Sequence, residues 1–374
     1  MVDWMTPGKT LGLIGASNWA YEILMMAKKM GFTVGVYSNN QHAPIVKAAD
    51  WALIGPYDDR EALTELAYRS DFISYQTDEL SSDMIEQLQK TVSVPQGSEL
   101  LSIVQDRVLQ KAYLEANSIN LAPYATIVTI SDIEEAVNSI GYPCILKTNR
   151  TDRQINDQVI LYDESELDKA VPLLEHGVCV LEAMIPFERE LVVSAVRNHQ
   201  GDTIVFPVSE SIYRNGDLYQ AITPARVATE VVEEVQRIVE MLATELNVAG
   251  ALSLELFVTA TGTLYVNRII SGPHMAGNYS AHYTNMSQLG AHVRGLANWP
   301  LAEPVLYNPT MMIPFHEAHR EKIIKQMQIK PEWNLHFYPK VQTEQTEKER
   351  GFLTIPISDL NQTLEDVSEM GLWE

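Results

Sequence analysis

The chain has 374 residues, more than a single hydrophobic core usually supports, so we expect two or three packed subdomains. Apolar residues make up 46% and charged residues 20%, as in ordinary globular proteins, and no run is apolar enough to cross a bilayer. The formal net charge of -22 argues against a nucleic-acid partner, because phosphate backbones are bound by clustered Lys and Arg. A small anionic ligand would need a local basic pocket.

The opening residues contain no apolar segment behind a basic start, so we expect a cytoplasmic protein without a secretory signal. The two cysteines, Cys144 and Cys179, are far apart and belong to no CxxC motif. This spacing excludes a disulfide framework and a zinc knuckle. We predict that both are buried strand residues.

The first hundred residues alternate between strand-like and helix-like patterns. Residues 10–14 form an apolar run that ends at Gly15, and residues 18–30 carry an apolar stripe at helical spacing. Further strand-like runs occupy 33–37, 51–54 and 72–75, which predicts a small parallel sheet and a Rossmann-like domain. Only Gly12 and Gly15 stand in the first turn, so the GxGxxG dinucleotide fingerprint is not met.

The middle of the chain favours strands and two long helices. We predict helices at 105–117 and 229–246, and strands at 144–148, 178–182, 190–196 and 204–208 that form one antiparallel sheet. Lys147 lies at the polar end of its strand, where it would face water or a phosphate.

A hairpin follows at 252–258 and 264–269. A two-residue turn at Thr261 and Gly262 would place Glu255 directly opposite Arg268. From Trp299 onward the pattern indicates a small C-terminal domain.

Five sequence blocks in a fixed order resemble one known family. They are QDRVLQK (105–111), ILKT (145–148), LEAMIPFERE (181–190), PAR (224–226) and LYVN (264–267). Together they are similar to 5-(carboxyamino)imidazole ribonucleotide synthase, and the similarity extends over nearly the whole chain. The resemblance implies an α/β ATP-grasp fold with a Rossmann-like domain at 1–98, an ATP-grasp domain at 99–298 and a small C-terminal domain at 299–374. It also implies a purine-biosynthesis ligase that joins bicarbonate to aminoimidazole ribonucleotide, using ATP and Mg²⁺.

The resemblance assigns residues to a nucleotide site. Arg107 and Lys147 match the cationic residues near the phosphates, and Glu190 matches the acidic residue that meets the ribose. Residues 182–185 match the hinge whose backbone binds the base. The implied nucleotide-binding set is therefore Arg107, Lys147, Glu182, Ala183, Met184, Ile185, Glu190, Tyr213 and Asn267.

The same resemblance implies a substrate site with Tyr75, Arg226 and His274, and a metal site with Glu255. Several substrate-side positions depart from the family. The family's YEFEN reads YQTDE here from Tyr75, and its PRPHNSGH reads SGPHMAGN from Ser271. No catalytic residue can be assigned on this pattern.

Two further departures affect the phosphates and the metal. The family's glycine-rich lid, GGYDGKG, is replaced at 151–157 by TDRQIND, within an altered segment near 149–158. Glycines let backbone N–H groups approach phosphate oxygens, and the acidic Asp152 and Asp157 would repel them. The second metal carboxylate is replaced by Arg268, so we predict an ion pair between Arg268 and Glu255 in place of the metal.

These departures leave three hypotheses. The chain is a working ligase that carboxylates aminoimidazole ribonucleotide, a non-catalytic paralogue that binds a partner or regulates, or an ATP-grasp ligase with a changed substrate. The loss of the glycine lid and of one metal carboxylate leads us to expect weak or absent activity. The resemblance also implies a homodimer.

Overall fold

The computed structural model describes residues 4–150, 157–214, 216–339 and 349–371. The chain divides into two compact units. Unit 1 contains residues 1–98, 191–253 and 270–374, and unit 2 contains residues 99–190 and 254–269. Among the described residues, no helix has the length and apolar character that a membrane span requires.

Unit 1 begins with a parallel four-stranded sheet in the order β3-β2-β1-β4. Its strands are β1 (Thr10–Ile14), β2 (Thr33–Ser38), β3 (Trp51–Ile54) and β4 (Phe72–Tyr75). The intervening helices are α1 (Asn18–Lys29), α2 (Pro44–Ala48), α3 (Arg60–Tyr68) and α4 (Ser82–Gln89). Apolar side chains from β1, β2 and α1 form one buried core cluster, which fixes the sheet against its helices. The predicted parallel sheet is confirmed.

Unit 2 is built around an antiparallel four-stranded sheet in the order β5-β8-β6-β7. The strands are β5 (Tyr124–Ile127), β6 (Cys144–Thr148), β7 (Gln158–Leu161) and β8 (Cys179–Ala183). Its helices are α5 (Glu99–Gln105), α6 (Arg107–Ala116), α7 (Ile130–Ile140) and α8 (Val171–Leu174). Cys144 and Cys179 are buried in the core of this sheet, as predicted.

A nine-stranded sheet runs in the order β14-β13-β9-β11-β12-β15-β17-β16, and β10 pairs with β9. Its strands up to the hairpin are β9 (Arg189–Arg197), β10 (Thr203–Val205), β11 (Ser209–Arg214), β12 (Asp217–Thr223), β13 (Gly250–Val258) and β14 (Leu264–Ser271). The remaining strands are β15 (Thr310–His316), β16 (Asn334–Phe337) and β17 (Glu349–Pro356). Helices α9 (Thr229–Glu245), α10 (Ser280–Tyr283), α11 (Gln288–Leu296), α12 (Arg320–Ile329) and α13 (Leu360–Glu369) complete the chain.

Two structural predictions are wrong. The strands predicted to form one antiparallel sheet belong to two, because β6 and β8 lie in the sheet of unit 2 and β9 and β10 in the nine-stranded sheet. The hairpin turn is also longer than two residues. Thr259 N–H donates to Thr263 O, and Gly262, at a φ of +81°, donates its N–H to Thr259 O. A left-handed glycine at the end of a three-residue loop explains this geometry.

Candidate functional site

The first part of the site is the junction between helix α6 and the end of strand β6. Asp106 caps α6 by accepting the Leu109 N–H at 2.8 Å, and its second oxygen accepts the Asn149 side-chain amide at 2.9 Å. The Arg107 Nε atom then donates to Thr148 O at 2.9 Å. These bonds hold the guanidinium of Arg107 beside the strand that carries Lys147.

Arg107 also forms an ion pair with the altered lid segment. Its Nη2 atom lies 2.8 Å from the Asp157 carboxylate, and both side chains are 22% exposed. Asp157 is held there by its backbone, because Thr148 N–H donates to Asp157 O at 2.9 Å. The Asp157 carboxylate, which was predicted to repel phosphates, therefore pairs with the Arg107 guanidinium, which was predicted to bind them. Residues 151–156 of the lid lie outside the described residues.

The second part of the site is a buried group of two lysines and one glutamate. Lys111 and Lys147 each lie 3.2 Å from Glu182, one at each carboxylate oxygen. Burial raises the pKa of Glu182, but the two ammonium groups outweigh it and hold that pKa below its ordinary value. Burial also lowers the pKa of Lys111, against the opposing effect of Glu182. The structure thus brings together three of the predicted nucleotide-site residues, Arg107, Lys147 and Glu182.

Lys111 was not predicted as a site residue, although it is the most deeply buried lysine of this group. It lies four residues after Arg107 on α6, so the two side chains share one helical face with Gln110 and Leu114. A lysine on the buried face of an amphipathic helix is the sequence signal that could have identified it.

The predicted hinge follows strand β8. Ala183 N–H donates to Pro123 O at 2.9 Å, and Met184 N–H lies 3.4 Å from Pro143 O. Just beyond, Phe187 stacks on Phe257 with ring centroids 4.6 Å apart. Binding of the base by the backbone of residues 182–185 stays a prediction.

The predicted ribose and metal carboxylates, Glu190 and Glu255, influence one another. Burial, and after it the charge of Glu255, raises the pKa of Glu190 to about 7. On the neighbouring strand β14, Asn267 is half-buried and Arg268 is exposed. The ion pair between Arg268 and Glu255 stays a prediction.

Within the described ranges, no group of three or more His, Cys, Asp and Glu side chains is arranged to hold a metal ion. Mg²⁺ commonly uses one or two carboxylates together with phosphates and water. A single carboxylate, that of Glu255, would be compatible with a cation on that pattern.

The predicted substrate residues all lie in unit 1. Arg226 makes a bidentate pair with the buried Glu210, at 2.9 and 2.6 Å. His274 caps the short helix that follows it, since its Nδ1 atom accepts the Ala276 N–H at 3.1 Å. Tyr75 is buried, and its hydroxyl donates to Gly97 O at 2.9 Å. Their substrate roles stay predictions.

Tyr213 also lies in unit 1, at a β-bulge of strand β11. The register with β12 shifts between Ile212 and Tyr213. Bulges commonly redirect a side chain near a binding site, so the bulge is compatible with a position of Tyr213 at such a site. Its predicted contact with a nucleotide stays a prediction.

Comparisons with known proteins agree with this architecture. The ribonucleotide synthetase preATP-grasp domain model matches residues 8–105, and the ATP-grasp domain model matches residues 112–289. N5-carboxyaminoimidazole ribonucleotide synthase of Bacillus subtilis (strain 168) is 35% identical over 307 residues, which cover 82% of this chain and 81% of that protein.

Two solved structures are similar over their full length. The crystal structure of an ADP complex of N5-carboxyaminoimidazole ribonucleotide synthetase matches with a TM-score of 0.95 and 32% identity, covering 100% of this chain and 99% of that one. The Staphylococcus aureus N5-carboxyaminoimidazole synthetase complexed with ADP matches with a TM-score of 0.90 and 26% identity, covering 98% of both chains.

The fold and the cationic site therefore define an ATP-grasp protein with an N-terminal preATP-grasp domain. More specifically, the chain belongs to the N5-carboxyaminoimidazole ribonucleotide synthase family. The family and fold class predicted from the sequence are confirmed.

Proposed function

We propose that this protein binds an adenine nucleotide in unit 2 and catalyses, at a low rate, the ATP-dependent carboxylation of aminoimidazole ribonucleotide. The observation that carries the proposal is a group of three cations in a protein of net charge -22. Lys111 and Lys147 meet at the buried Glu182, and Arg107, on the same helix as Lys111, donates to the carbonyl of the residue after Lys147. A local excess of cations in an acidic protein favours an anionic ligand. A nucleotide polyphosphate fits this chemistry.

The residues that the resemblance assigns to the two ligands fall largely in different units. The predicted nucleotide residues, apart from Tyr213, belong to unit 2, and the predicted substrate residues belong to unit 1. Relatives whose structures contain ADP share this fold over the whole chain. On this proposal the protein is cytoplasmic, and a homodimer is expected from the family.

Mg²⁺ belongs to the proposal as the ion that neutralises the phosphates. In this proposal Glu255 would supply a carboxylate oxygen instead of pairing with Arg268, and the nucleotide phosphates would supply the other ligands. The low rate follows from the lid, because a segment without glycines does not offer closely packed backbone N–H groups to the phosphates.

Calorimetric titration with ADP and ATP, with and without Mg²⁺, tests the binding step. The proposal requires saturable binding of both nucleotides, tighter with Mg²⁺. ATP hydrolysis that depends on aminoimidazole ribonucleotide and bicarbonate tests the reaction. A protein that binds neither nucleotide does not have this function.

The ion pair between Arg107 and Asp157 favours a second candidate, a paralogue that binds a nucleotide without turning it over. This candidate predicts nucleotide binding with no ATP hydrolysis under any substrate condition. The third candidate, a ligase with another substrate, predicts Mg²⁺-dependent hydrolysis that aminoimidazole ribonucleotide does not stimulate.

A further inference from the structure

Lys111 is a buried lysine that makes an ion pair with one oxygen of a predicted hinge residue. Its side chain is 6% exposed, that of Glu182 is 8% exposed, and that of Lys147 is 13% exposed. The Lys111 ammonium lies 5.2 Å from the centre of the Tyr124 ring, which covers it further. Lys147 is the more accessible of the two lysines. It directly precedes Thr148, whose carbonyl oxygen accepts a hydrogen bond from Arg107.

Glu182 has two cationic partners, although one would neutralise it. Its two carboxylate oxygens each meet one ammonium group, from Lys111 and from Lys147. A buried carboxylate is costly unless an opposite charge compensates it. One of the two lysines can therefore turn to an incoming anion, provided that the other stays with Glu182.

We infer that Lys111 is a positioning residue of the nucleotide site, which keeps Glu182 paired so that Lys147 can leave it for a nucleotide phosphate. This inference rests on the proposed nucleotide-binding function. In the structure both lysines pair with Glu182. In the bound protein Lys147 contacts a phosphate, and Lys111 with Glu182 remains as a neutral buried pair. Without Lys111, the movement of Lys147 would leave a buried carboxylate unpaired.

A purely structural role for Lys111 makes a different prediction. If the lysine only stabilised unit 2, its removal would weaken every ligand of the site to a similar degree. The positioning role instead affects ligands with phosphates and spares those without them. Comparison of ADP with adenosine separates the two roles within one variant.

The experiment is calorimetric titration of the full-length protein with ADP and with adenosine. Lys111→Met is expected to lower the affinity for ADP about tenfold, the scale of one hydrogen bond between charged groups, and that for adenosine less than about twofold. Lys169→Met is the matched control, because it removes an exposed lysine from the same unit. We expect it to leave both affinities unchanged. Thermal unfolding checks that each variant folds. If Lys111→Met does not fold, Lys111→Gln takes its place in the titrations.

A double-mutant cycle with Glu182→Gln completes the test. In that background Lys147 has no carboxylate to neutralise, so Lys111→Met should change the ADP affinity less than about twofold. An equal loss for ADP and adenosine, or an undiminished loss beside Glu182→Gln, overturns the inference while the proposed function stands. A wild-type protein that binds ADP no better than adenosine overturns it too. A wild-type protein that binds neither compound overturns both.

Discussion

The guanidinium of Arg107 donates a hydrogen bond of 2.8 Å to the carboxylate of Asp157. Arg107 matches a phosphate-binding position of the family, and Asp157 belongs to the segment that replaces the family's glycine-rich lid. The altered lid therefore acts on the site through charge as well as through its lack of glycine. An incoming phosphate must compete with this carboxylate for the same donor.

Replacing Asp157 with Asn should strengthen nucleotide binding. The amide keeps the size of the side chain but removes the negative charge that neutralises Arg107. We expect the affinity for ADP to rise about fivefold, as for the loss of one partly exposed ion pair near a charged ligand. Calorimetric titration with ADP measures the change.

The control for this variant is Asp168→Asn, which removes a charge from an exposed position of the same unit. Its affinity for ADP should equal that of the wild type. Unchanged or weaker ADP binding by Asp157→Asn would mean that this carboxylate does not compete with the nucleotide.

Local sequence patterns were sufficient for most elements but not for their partners. The apolar run at Cys144–Thr148 and the alternation at Gly250–Val258 identify strands from side chains within a few residues. Which sheet a strand joins depends on contacts between distant segments, so β6 and β9 were wrongly placed together. The predicted length of the turn between Thr259 and Thr263 was wrong for a related reason, because several loop lengths are compatible with one glycine.

The site shows the same limit. Arg107 and Lys147 were predicted because they stand in recognisable blocks of sequence. Lys111 stands in one of these blocks too, but its proposed role depends on Glu182, which is 71 residues away and meets the helix that carries Lys111 only in the folded chain. A pairing of this kind is a property of the folded chain, and no local pattern contains it.

The two cysteines provide a probe of unit 2. Cys144 and Cys179 are both fully buried in that unit, and burial raises the pKa of Cys144 to about 11. A thiol reagent reacts with the thiolate, so the native protein should be labelled very slowly. Labelling should accelerate by orders of magnitude in denaturant, and ADP should slow it in native buffer by stabilising unit 2. Mass spectrometry counts the modified thiols, and rapid labelling of native protein would contradict the buried positions.

Glu190 should make stability decrease as the pH rises. Its pKa is raised from 4.5 to about 7 in the folded protein, mainly by burial and then by Glu255. The folded state therefore holds a proton that the unfolded state has lost, so stability falls between these two pH values. Glu190→Gln should remove this decrease and be more stable than the wild type above pH 7. Denaturant unfolding, followed by circular dichroism across this pH range, measures the difference.

The comparison for Glu190 is Glu188→Gln, which changes an exposed carboxylate two residues away. Its stability should follow the wild-type pH dependence. A Glu190→Gln variant that also follows the wild-type curve would show that the Glu190 carboxylate does not hold the extra proton.

His292 should make stability decrease as the pH falls, which is opposite to the effect expected of Glu190. It is fully buried, its Nδ1 atom accepts the Ala251 N–H at 2.9 Å, and burial lowers its pKa from 6.5 to about 3. The folded protein keeps this imidazole neutral while the unfolded chain binds a proton below pH 6.5. Stability should therefore be lost as the pH falls from 6.5 toward 3, by at most about 1.4 kcal/mol per pH unit from this group.

His292→Gln should reduce this acid sensitivity, because the amide does not titrate and its oxygen can accept the same N–H. Tryptophan fluorescence is the suitable readout, since the five tryptophans among the described residues belong to unit 1, which contains His292. His42→Gln is the control, because this histidine is exposed in the same unit. An acid sensitivity of His292→Gln as large as that of the wild type would contradict a neutral, buried imidazole, because stability depends on pH only through groups whose proton binding differs between the folded and unfolded states.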